Sequence, residues 1–395
     1  MFDLLKGLRV IDLSTVVLGP YATQLVADMG ADVIKVETRA GDVFRAARPG
    51  RPGGDGAGFL NLNRNKRSIA LDLTRADDKR ILDRLVATAD VFVHNMRENG
   101  ARKLGLDHAA IRALKPDIVY CSARGFGRGL YGDEPAYDDC IQAASGLAWL
   151  NADAQGEPRF VRTVMCDKVA GLHLAFAIAA GVASRARTGQ GCHIETPMYE
   201  AMASFLMIEQ LSGQSFVPPL PDRGYARLNA PGRRPYRTRD GHVAIMPYTA
   251  AQWQRFLRLI GQADLAASSA ITNDEERSRQ IDRLYEVIAQ AAPSRTAAEW
   301  LDLLRAADIP CAPVNRLEDL PAEPHLAGTG HFRTMTHPVE GGLMYAAPPF
   351  ASDTAQVLPD RPPPVLDGDR AEIMAELGLT DADAPLARPS DAGAA

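Results

Sequence analysis

The stretch LRVIDLSTVVLGPYATQLVADMGADVIKVE, residues Leu8–Glu37, decides the fold class of this chain of 395 residues. Its apolar segments Leu8–Leu13 and Ala31–Glu37 predict two strands. Between them, Tyr21–Met29 predicts a helix that begins after a proline and ends at a glycine. The turn into this helix is Leu18-Gly19-Pro20, which lacks the glycines of a GxGxxG phosphate loop. The segment therefore predicts a βαβ unit, but not an ordinary dinucleotide-binding one.

The same alternation continues through the first third of the chain. Further strands are predicted at Ser68–Leu73, Asp90–His94 and Asp117–Ser122, with one helix at Arg75–Thr88 and another that ends at Ile111–Leu114. Runs of β-branched residues that alternate with helices are typical of a buried, parallel sheet. We therefore expect an α/β fold whose large domain contains a doubly wound, mostly parallel sheet.

Composition divides the rest of the chain. A helix of small residues, Gly171–Arg187, is followed by an irregular segment and then by a strand and amphipathic helices typical of a small α+β domain. The last residues contain little to bury and predict a disordered tail. The predicted organisation is a large Rossmann-like domain (1–212), a linker (213–235), a small α+β domain (236–320), a return segment that completes the large domain (321–379) and the tail (380–395).

A long loop interrupts the predicted sheet between its second and third strands. The segment Gly41–Gly58, with RPGRPGGDGAG at its centre, is too rich in glycine and proline for a regular element. It is either a disordered insertion or a mobile flap near a ligand.

The composition argues against several classes of function. A net charge of -5 argues against nucleic acid or an anionic membrane as the main partner. The five cysteines form no CxxC pair, and no two histidines have the spacing of metal ligands. No apolar run reaches the roughly 18 residues of a membrane span. We expect a soluble, cytoplasmic protein without a metal ion.

Several acidic residues lie where predicted strands meet predicted helices: Asp12, Glu37, Asp72, Asp138, Asp139 and Asp167. Most acids at such junctions cap a helix or lie in a solvated loop. Asp167 lies two or three residues before the small-residue helix, where free N–H groups and the helix dipole favour an anion. A carboxylate there could attack a thioester while the helix end holds developing negative charge. The helix-cap interpretation stays open.

A set of short segments, in a fixed order, resembles the class III CoA-transferases, the family of the formyl-CoA and carnitine-CoA transferases. Each segment alone is weak, but the ordered set is specific and spans the chain from Leu5 to about Leu379. The segments are GADVIKVE (Gly30–Glu37), NRNKRSIALDL (Asn63–Leu73), ADVFVHN (Ala89–Asn95), KLGL (Lys103–Leu106), PDIVYCSARGFG (Pro116–Gly127), AYDDCIQAASGL (Ala136–Leu147), and D-x3-GLH (Asp167–His173) leading to TGQG (Thr188–Gly191).

In this family the aspartate of the D-x3-G segment is the nucleophile, which implies Asp167 here. The resemblance implies an acyl-aspartyl anhydride, then an aspartyl-CoA thioester, and a reversal of both steps by an acceptor carboxylate. CoA and acyl-CoA are then substrates, and no tightly bound cofactor or metal is implied. Asp138 and Gln142 would support the reaction by orienting the thioester or excluding water.

The resemblance also implies contacts to CoA at the carboxyl ends of the strands, where open α/β sheets bind ligands. Arg97 and Lys103 would supply positive charge to the phosphates, although either could be an ordinary surface residue. Many relatives have Arg directly after the KVE segment, whereas here Thr38 intervenes before Arg39. The implied CoA-binding residues are Val17, Leu18, Arg39, Leu71, Asp72, Leu73, Thr74, Asn95, Met96, Arg97, Lys103 and Tyr137.

Departures from the family pattern bear on specificity. Formyl-CoA transferases carry Gln where Val17 stands here, so a preference for oxalate is not expected. The related 2-methylacyl-CoA racemases place His where Tyr137 stands, and a tyrosine with a pKa of about 10 is a poor base at neutral pH. CoA transfer between an acyl-CoA and a carboxylic acid is the leading hypothesis. A racemase and a non-catalytic CoA-binding protein are the alternatives.

The resemblance finally implies an interlocked homodimer. Members of the family form ring dimers in which each chain passes through a hole between the two domains of its partner. The irregular segments 213–235 and 321–350 would provide the length that such a path needs, and obligate dimers bury large apolar interfaces.

Overall fold

The computed structural model describes residues 1–221 and 224–380, which form two compact units. One unit comprises Met1–Leu206 and the described residues from Gly328 onward; the other comprises the described part of Met207–Ala327. The predicted tail lies, from residue 381 on, outside the described residues. The strands are β1 (Arg9–Asp12), β2 (Asp32–Glu37), β3 (Lys66–Ala70), β4 (Val91–His94), β5 (Val119–Arg124), β6 (Cys192–Pro197), β7 (Tyr236–Arg237), β8 (His242–Ile245), β9 (Cys311–Pro313), β10 (Phe332–His337) and β11 (Gly341–Ala346).

Helices connect these strands in both units. Short 3-10 helices lie at Val43–Ala46, Ser212–Ser215, Ala292–Ser294 and Leu317–Ala322. The α-helices are α1 (Leu18–Asp28), α2 (Ala57–Leu62), α3 (Ala76–Thr88), α4 (Glu98–Lys103), α5 (His108–Leu114), α6 (Asp138–Ala144), α7 (Leu147–Leu150), α8 (Met165–Thr188), α9 (Met198–Gln210), α10 (Ala226–Asn229), α11 (Ala250–Leu259), α12 (Ala263–Ala267), α13 (Ser269–Thr272), α14 (Asp274–Arg279), α15 (Ile281–Ala291), α16 (Ala297–Ala306), α17 (Pro324–Gly328) and α18 (Arg370–Glu376).

The first unit is built on a six-stranded sheet in the order β3-β2-β1-β4-β5-β6, in which every neighbouring pair is parallel. Alternate side chains of each strand enter opposite cores, as the two-residue period of a strand requires. Val10 and Val33 pack with α1 and α8, whereas Ile11 and Ile34 pack with α3, α5 and α18. Helices therefore cover both faces, and the expected α/β fold with a parallel sheet is confirmed.

The third strand begins earlier than its sequence pattern predicts, at Lys66 rather than Ser68. The ammonium of Lys66 is fully buried, 3.3 Å from Asp12 Oδ2 and 2.8 Å from Thr23 Oγ1. Next to it, Arg67 binds Asp32. Charged residues predict a loop, yet Lys66 and Arg67 begin this edge strand as buried residues because each has a buried or partly buried polar partner.

Helix α8 also begins earlier than predicted, at Met165 instead of Gly171. Its N-cap residue is Val164, whose side chain makes no capping hydrogen bond, so the usual sequence signal of a helix start is missing. Asp167 therefore lies inside the first turn of α8, not before the helix. The earlier start of α8 places the Asp167 carboxylate in the first turn, where the helix dipole acts most strongly.

The small residues of α8 permit close packing. A Cβ atom on Gly171 would lie 2.9 Å from the carbonyl oxygen of Leu18, and one on Gly181 would lie 2.6 Å from Val119 Cγ1. By length and composition α8 could cross a membrane, contrary to the expectation that no segment reaches that size. One such helix is weak evidence, because the core helix of a soluble protein has the same features. Helix α8 packs on α1 and β5 along one face, but only 33% of its apolar window is buried, and its exposed residues include Leu172 and Phe176.

Two segments without a predicted regular element contain one. Within Gly41–Gly58, a 3-10 helix forms at Val43–Ala46, and Arg45 binds Glu37 at 2.7 Å and Asp55 at 2.6 Å. Farther on, β10 and β11 pair as an antiparallel hairpin in a stretch expected to be extended chain. Contacts close in sequence hold both: Arg45 binds residues 8 and 10 positions away, and the hairpin joins two adjacent strands.

The second unit has its own apolar core. The strands β7, β8 and β9 form an antiparallel sheet, and helices α11, α15 and α16 pack against it. The buried aromatic rings of Trp253, Tyr285 and Trp300 fill this core.

Candidate active site

Asp167 is a partly buried carboxylate in the first turn of α8. Its backbone N–H donates to Asp138 Oδ1 at 3.0 Å. Its own side-chain oxygens accept no hydrogen bond from the residues that the structure describes. Burial, and secondly the negative charge of Asp138, raise the pKa of Asp167 to about 7. A carboxylate with such a pKa is more basic than an ordinary aspartate, yet it is substantially ionised near neutral pH.

Asp138 and Gln142, one turn apart on α6, hold the start of α8 in place. Gln142 Nε2 donates to Asp138 Oδ2 at 2.6 Å, and Gln142 Oε1 accepts from the backbone N–H of Val161 at 2.8 Å. Both side chains are almost fully buried. Asp138 thus supplies the capping acceptor that Val164 lacks, and Gln142 fixes the segment that leads into the helix. The structure therefore brings the predicted nucleophile and both predicted supporting residues together.

The start of α1 contacts the same helix. Val17 is the N-cap residue of α1, and both Val17 and Leu18 are buried. The carbonyl of Leu18 touches α8 at Gly171, four residues after Asp167. Residues four apart lie on one face of a helix, so the α1 start and the Asp167 carboxylate share a face of α8.

The residue just before Val17 has an unusual backbone conformation. Val16 has a φ of 71°, which a β-branched residue rarely adopts. Its N–H donates to the Asp42 carboxylate at 3.2 Å, and Asp42 in turn pairs with Lys35 at 2.9 Å. Such strain persists only where surrounding contacts enforce it, and it clusters at functional sites. Sequence reasoning missed Asp42, and only a search for a buried partner of Lys35 would have pointed to it.

A cavity of about 410 Å³ opens at the carboxyl ends of β1, β2 and β3. Arg39 lies at this cavity, with its Nη2 atom bound 2.7 Å from Asp78 Oδ2. The same carboxylate oxygen accepts the backbone N–H of Asp72 at 2.7 Å. Asp78, which sequence reasoning missed, thus holds both the Arg39 side chain and the Asp72 backbone in place. The predicted CoA-binding residues that line the cavity are Arg39, Leu71, Asp72, Leu73, Thr74 and Met96.

The other predicted CoA-binding residues lie elsewhere. Asn95 is tied to the backbone of Thr15, which does line the cavity, by hydrogen bonds of 3.0 and 2.8 Å. Arg97, Lys103 and Tyr137 are exposed, the last at 74%. Neither these nor Val17, Leu18 and Asp167 line the cavity. Among the described residues, no group of three or more His, Cys, Asp or Glu side chains could hold a metal ion.

Comparison with known proteins shows the family of this chain. Residues 5–370 match the model of CoA-transferase family III. The chain is 32% identical to succinyl-CoA:mesaconate CoA-transferase of Haloarcula hispanica, over 95% of this chain and 96% of that protein. It is 28% identical to succinyl-CoA:glutarate CoA-transferase of Homo sapiens, over 94% of this chain and 86% of that protein.

A solved structure leads to the same family. The fold resembles that of a CAIB/BAIF family protein from Brucella suis with a TM-score of 0.81 and 28% identity, over 95% of this chain and 100% of that chain. The resemblance inferred from the ordered sequence segments is confirmed, and this chain is an enzyme that belongs to CoA-transferase family III.

Proposed function

We propose that this enzyme moves CoA from an acyl-CoA donor to a carboxylic acid acceptor, with Asp167 as the nucleophile. The observation that carries the proposal is the Asp167 carboxylate itself. It is partly buried, accepts no hydrogen bond from the described residues, and lies in the first turn of α8 with a pKa raised to about 7. An unpartnered, basic carboxylate is what attack on a thioester requires.

The proposed steps transfer the acyl group and then CoA. A carboxylate oxygen of Asp167 attacks the thioester carbon, and the carbon–sulfur bond breaks to give an acyl-aspartyl anhydride and CoA thiolate. The thiolate attacks the aspartyl carbonyl, which forms aspartyl-CoA and releases the donor acid. An acceptor carboxylate then attacks the aspartyl carbonyl of aspartyl-CoA, which expels CoA thiolate and gives a second anhydride. The thiolate attacks the acceptor carbonyl of this anhydride, which forms the new acyl-CoA and regenerates the Asp167 carboxylate. The dipole of α8 stabilises the oxyanion that develops at its first turn.

We infer that the substrates are dicarboxylic acids, with succinyl-CoA as donor. The relatives from Haloarcula hispanica and Homo sapiens are named for succinyl-CoA and for mesaconate or glutarate. Val17 also supports dicarboxylic acids larger than oxalate as substrates, because its side chain near the thioester is apolar. Oxalate or formyl-CoA as the best substrate would contradict this assignment.

The nucleotide end of CoA is proposed to bind in the cavity beside Arg39. Six of the residues expected to contact CoA line that cavity, and the Arg39 guanidinium is suited to a phosphate. From there the pantetheine arm would extend past Asn95 towards Val17 and Leu18, which contact the helix that carries Asp167.

We propose a soluble, cytoplasmic homodimer, interlocked as in the family. The support is an exposed apolar surface on α8 and α9, where Leu172, Phe176 and Phe205 face solvent in the single chain and Phe176 is 76% exposed. Monomeric soluble proteins rarely expose such neighbouring apolar groups. Light scattering at micromolar concentration should give twice the chain mass, and a stable monomer would contradict the assembly.

A panel of acyl-CoA donors and carboxylic acids, followed by mass spectrometry, tests the activity. We expect transfer from succinyl-CoA to a dicarboxylate, and a CoA-sized adduct on the protein when acyl-CoA is supplied alone. Deuterium exchange at C2 of a 2-methylacyl-CoA without an acceptor acid would instead favour a racemase. Tight acyl-CoA binding that Asp167→Asn leaves unchanged, without turnover of any substrate, would favour a non-catalytic binding protein.

A further inference from the structure

The loop after β4, residues Asn95–Arg97, forms part of the wall of the proposed CoA cavity. Met96 lines this cavity on one side and a second cavity of about 390 Å³ on the other. Met96 packs partly against the core formed by α3, α5 and α18, with the two cavities beside it. Hydrogen bonds also hold the loop: Asn95 is tied to Thr15, and the N–H of Met96 donates to the buried ring of His94.

The hydrogen bonds of the His94 ring fix which of its two nitrogens carries the proton. Its Nδ1 atom accepts the backbone N–H of Met96 at 3.1 Å, and its Nε2 atom lies 2.6 Å from the hydroxyl of Tyr120. The Tyr120 hydroxyl lies 2.8 Å from the carbonyl oxygen of Leu106, which can only accept. The hydroxyl therefore donates to Leu106 and accepts from His94, so the ring proton is on Nε2 and Nδ1 is free to accept.

We propose that His94 is a positioning residue for CoA binding: through Met96 it fixes the loop that separates the CoA cavity from the space behind it. This inference rests on the proposed function and assigns a role to a residue that touches neither substrate nor nucleophile. The chain of bonds from Leu106 through Tyr120 and His94 to Met96 ties the loop to β5 and to the segment between α4 and α5.

The neutral state of His94 is compatible with this role. Burial, and then the charge of Arg124, lower the pKa of His94 to about 4. The ring thus remains neutral at physiological pH, and Nδ1 remains an acceptor.

Two substitutions at position 94 separate positioning from packing. His94→Asn keeps an acceptor for the N–H two residues later, as in an Asx-turn, but places a smaller polar group in the core. His94→Phe preserves the ring between Phe92 and Tyr120 but removes the acceptor. If His94 positions the loop, His94→Phe should raise the Kd for CoA and the KM for acyl-CoA about three- to tenfold, with kcat unchanged. His94→Asn should remain near the wild-type values.

The inference would be overturned if His94→Asn weakened CoA binding more than His94→Phe does. If His94 serves only packing, Phe is the milder change, and His94→Asn should lower the melting temperature more and bind CoA less tightly. A His94→Phe variant with unchanged Kd and KM would have the same meaning. The control is His108→Phe: His108 lines the same second cavity, but its ring makes no hydrogen bond to the loop within the described residues. It should leave Kd and KM unchanged.

A measurement on the unsubstituted protein keeps the test decisive if a variant fails to fold. Nitrogen-15 NMR of histidine-labelled protein should show His94 with a protonated Nε2 and an unprotonated Nδ1. The opposite tautomer would contradict the inference, because Nδ1 would then be unable to accept from Met96. Failure of the proposed function is distinct, since it would appear as absent CoA binding and turnover in the wild type.

Discussion

Asp12 and Asp167 are both buried or partly buried aspartates of the first unit, but their surroundings are opposite. Asp12 accepts from Ser14 and Thr23 and pairs with Lys66. Burial alone would raise the pKa of Asp12, but the charges of Lys66 and Lys35 outweigh it and hold that pKa below its usual value. Asp167 has no such compensation, because its charged neighbour is another carboxylate. The carboxylate of Asp12 is thus satisfied by its neighbours, whereas that of Asp167, the proposed nucleophile, is not.

The largest expected effect is the loss of activity when Asp167, the proposed nucleophile, is replaced by a neutral residue. Asp167→Asn keeps the shape of the side chain but cannot form an anhydride, so transfer should fall on the order of 10³-fold or more while CoA still binds. Asp167→Ser should lose transfer as well. The matched control is Asp139→Asn, an exposed acid on α6, which should retain activity.

Intact-protein mass spectrometry identifies the cause of that loss. A CoA-sized adduct should form on the wild type supplied with acyl-CoA alone and should be absent from both Asp167 variants. If Asp167 is only a polar residue of the first turn of α8, Asn and Ser would leave turnover nearly intact.

The second effect is on the free energy of unfolding when Asp12 is replaced. Asp12→Asn removes the partner of a fully buried ammonium, and breaking a buried pair in this way costs about 3–5 kcal/mol in the free energy of unfolding. Lys79→Ala breaks the more exposed pair with Asp83 on α3 and should cost less than about 1 kcal/mol. Urea unfolding at pH 7 measures both. Equal losses would mean that the buried pair is no more critical than a surface one.

The third effect is on the pH dependence of the free energy of unfolding, to which the two aspartates contribute with opposite sign. The pKa of Asp167 is raised in the folded state, so folding favours its protonated form, and its penalty grows as the pH rises from about 4 through 7. Asp167→Asn should therefore stabilise the fold at pH 8 by about 1–3 kcal/mol and much less at pH 5. The pKa of Asp12 is lowered, so its contribution is present at neutral pH and disappears in acid. Unfolding curves of Asp167→Asn at pH 5 and pH 8, and of Asp12→Asn at pH 7 and below pH 4, would show whether the two pH dependences have opposite signs.

The sequence predicts the repetitive part of this molecule better than the reactive part. The two strands within Leu8–Glu37 follow from apolar runs that a short sequence window contains. The β3 start at Lys66 does not, because its charge is compensated by a residue 54 positions away. The same limit explains why local pattern does not single out Asp167 among several candidate acids, and why its proposed role as nucleophile comes from the resemblance.

Geometry around the site was still harder to predict. The early start of α8 depends on Asp138, which caps the helix from another element, and no local residue signals it. The positive φ of Val16 depends on Asp42, and the orientation of Arg39 depends on Asp78. These contacts join residues that are between 26 and 39 positions apart in the chain, so a short sequence window does not contain both partners.

The smallest expected effect tests how much of the reactivity of Asp167 comes from its neighbour. Burial is the larger cause of the raised pKa of Asp167 and the charge of Asp138 the smaller one, so Asp138→Asn should lower that pKa without restoring the usual value. In the wild type, kcat/KM for acyl-CoA should fall as the pH drops below about 7, because only ionised Asp167 attacks. In Asp138→Asn this decline should begin at lower pH. The maximal rate should fall modestly, because one amide oxygen replaces the two carboxylate oxygens that accept separately from Asp167 N–H and Gln142 Nε2. Gln142→Glu is the opposing test, since a second carboxylate beside Asp138 should move the decline to higher pH. A decline at the same pH in all three proteins would mean that burial alone sets the pKa of Asp167, and that Asp138 acts only as the cap of α8.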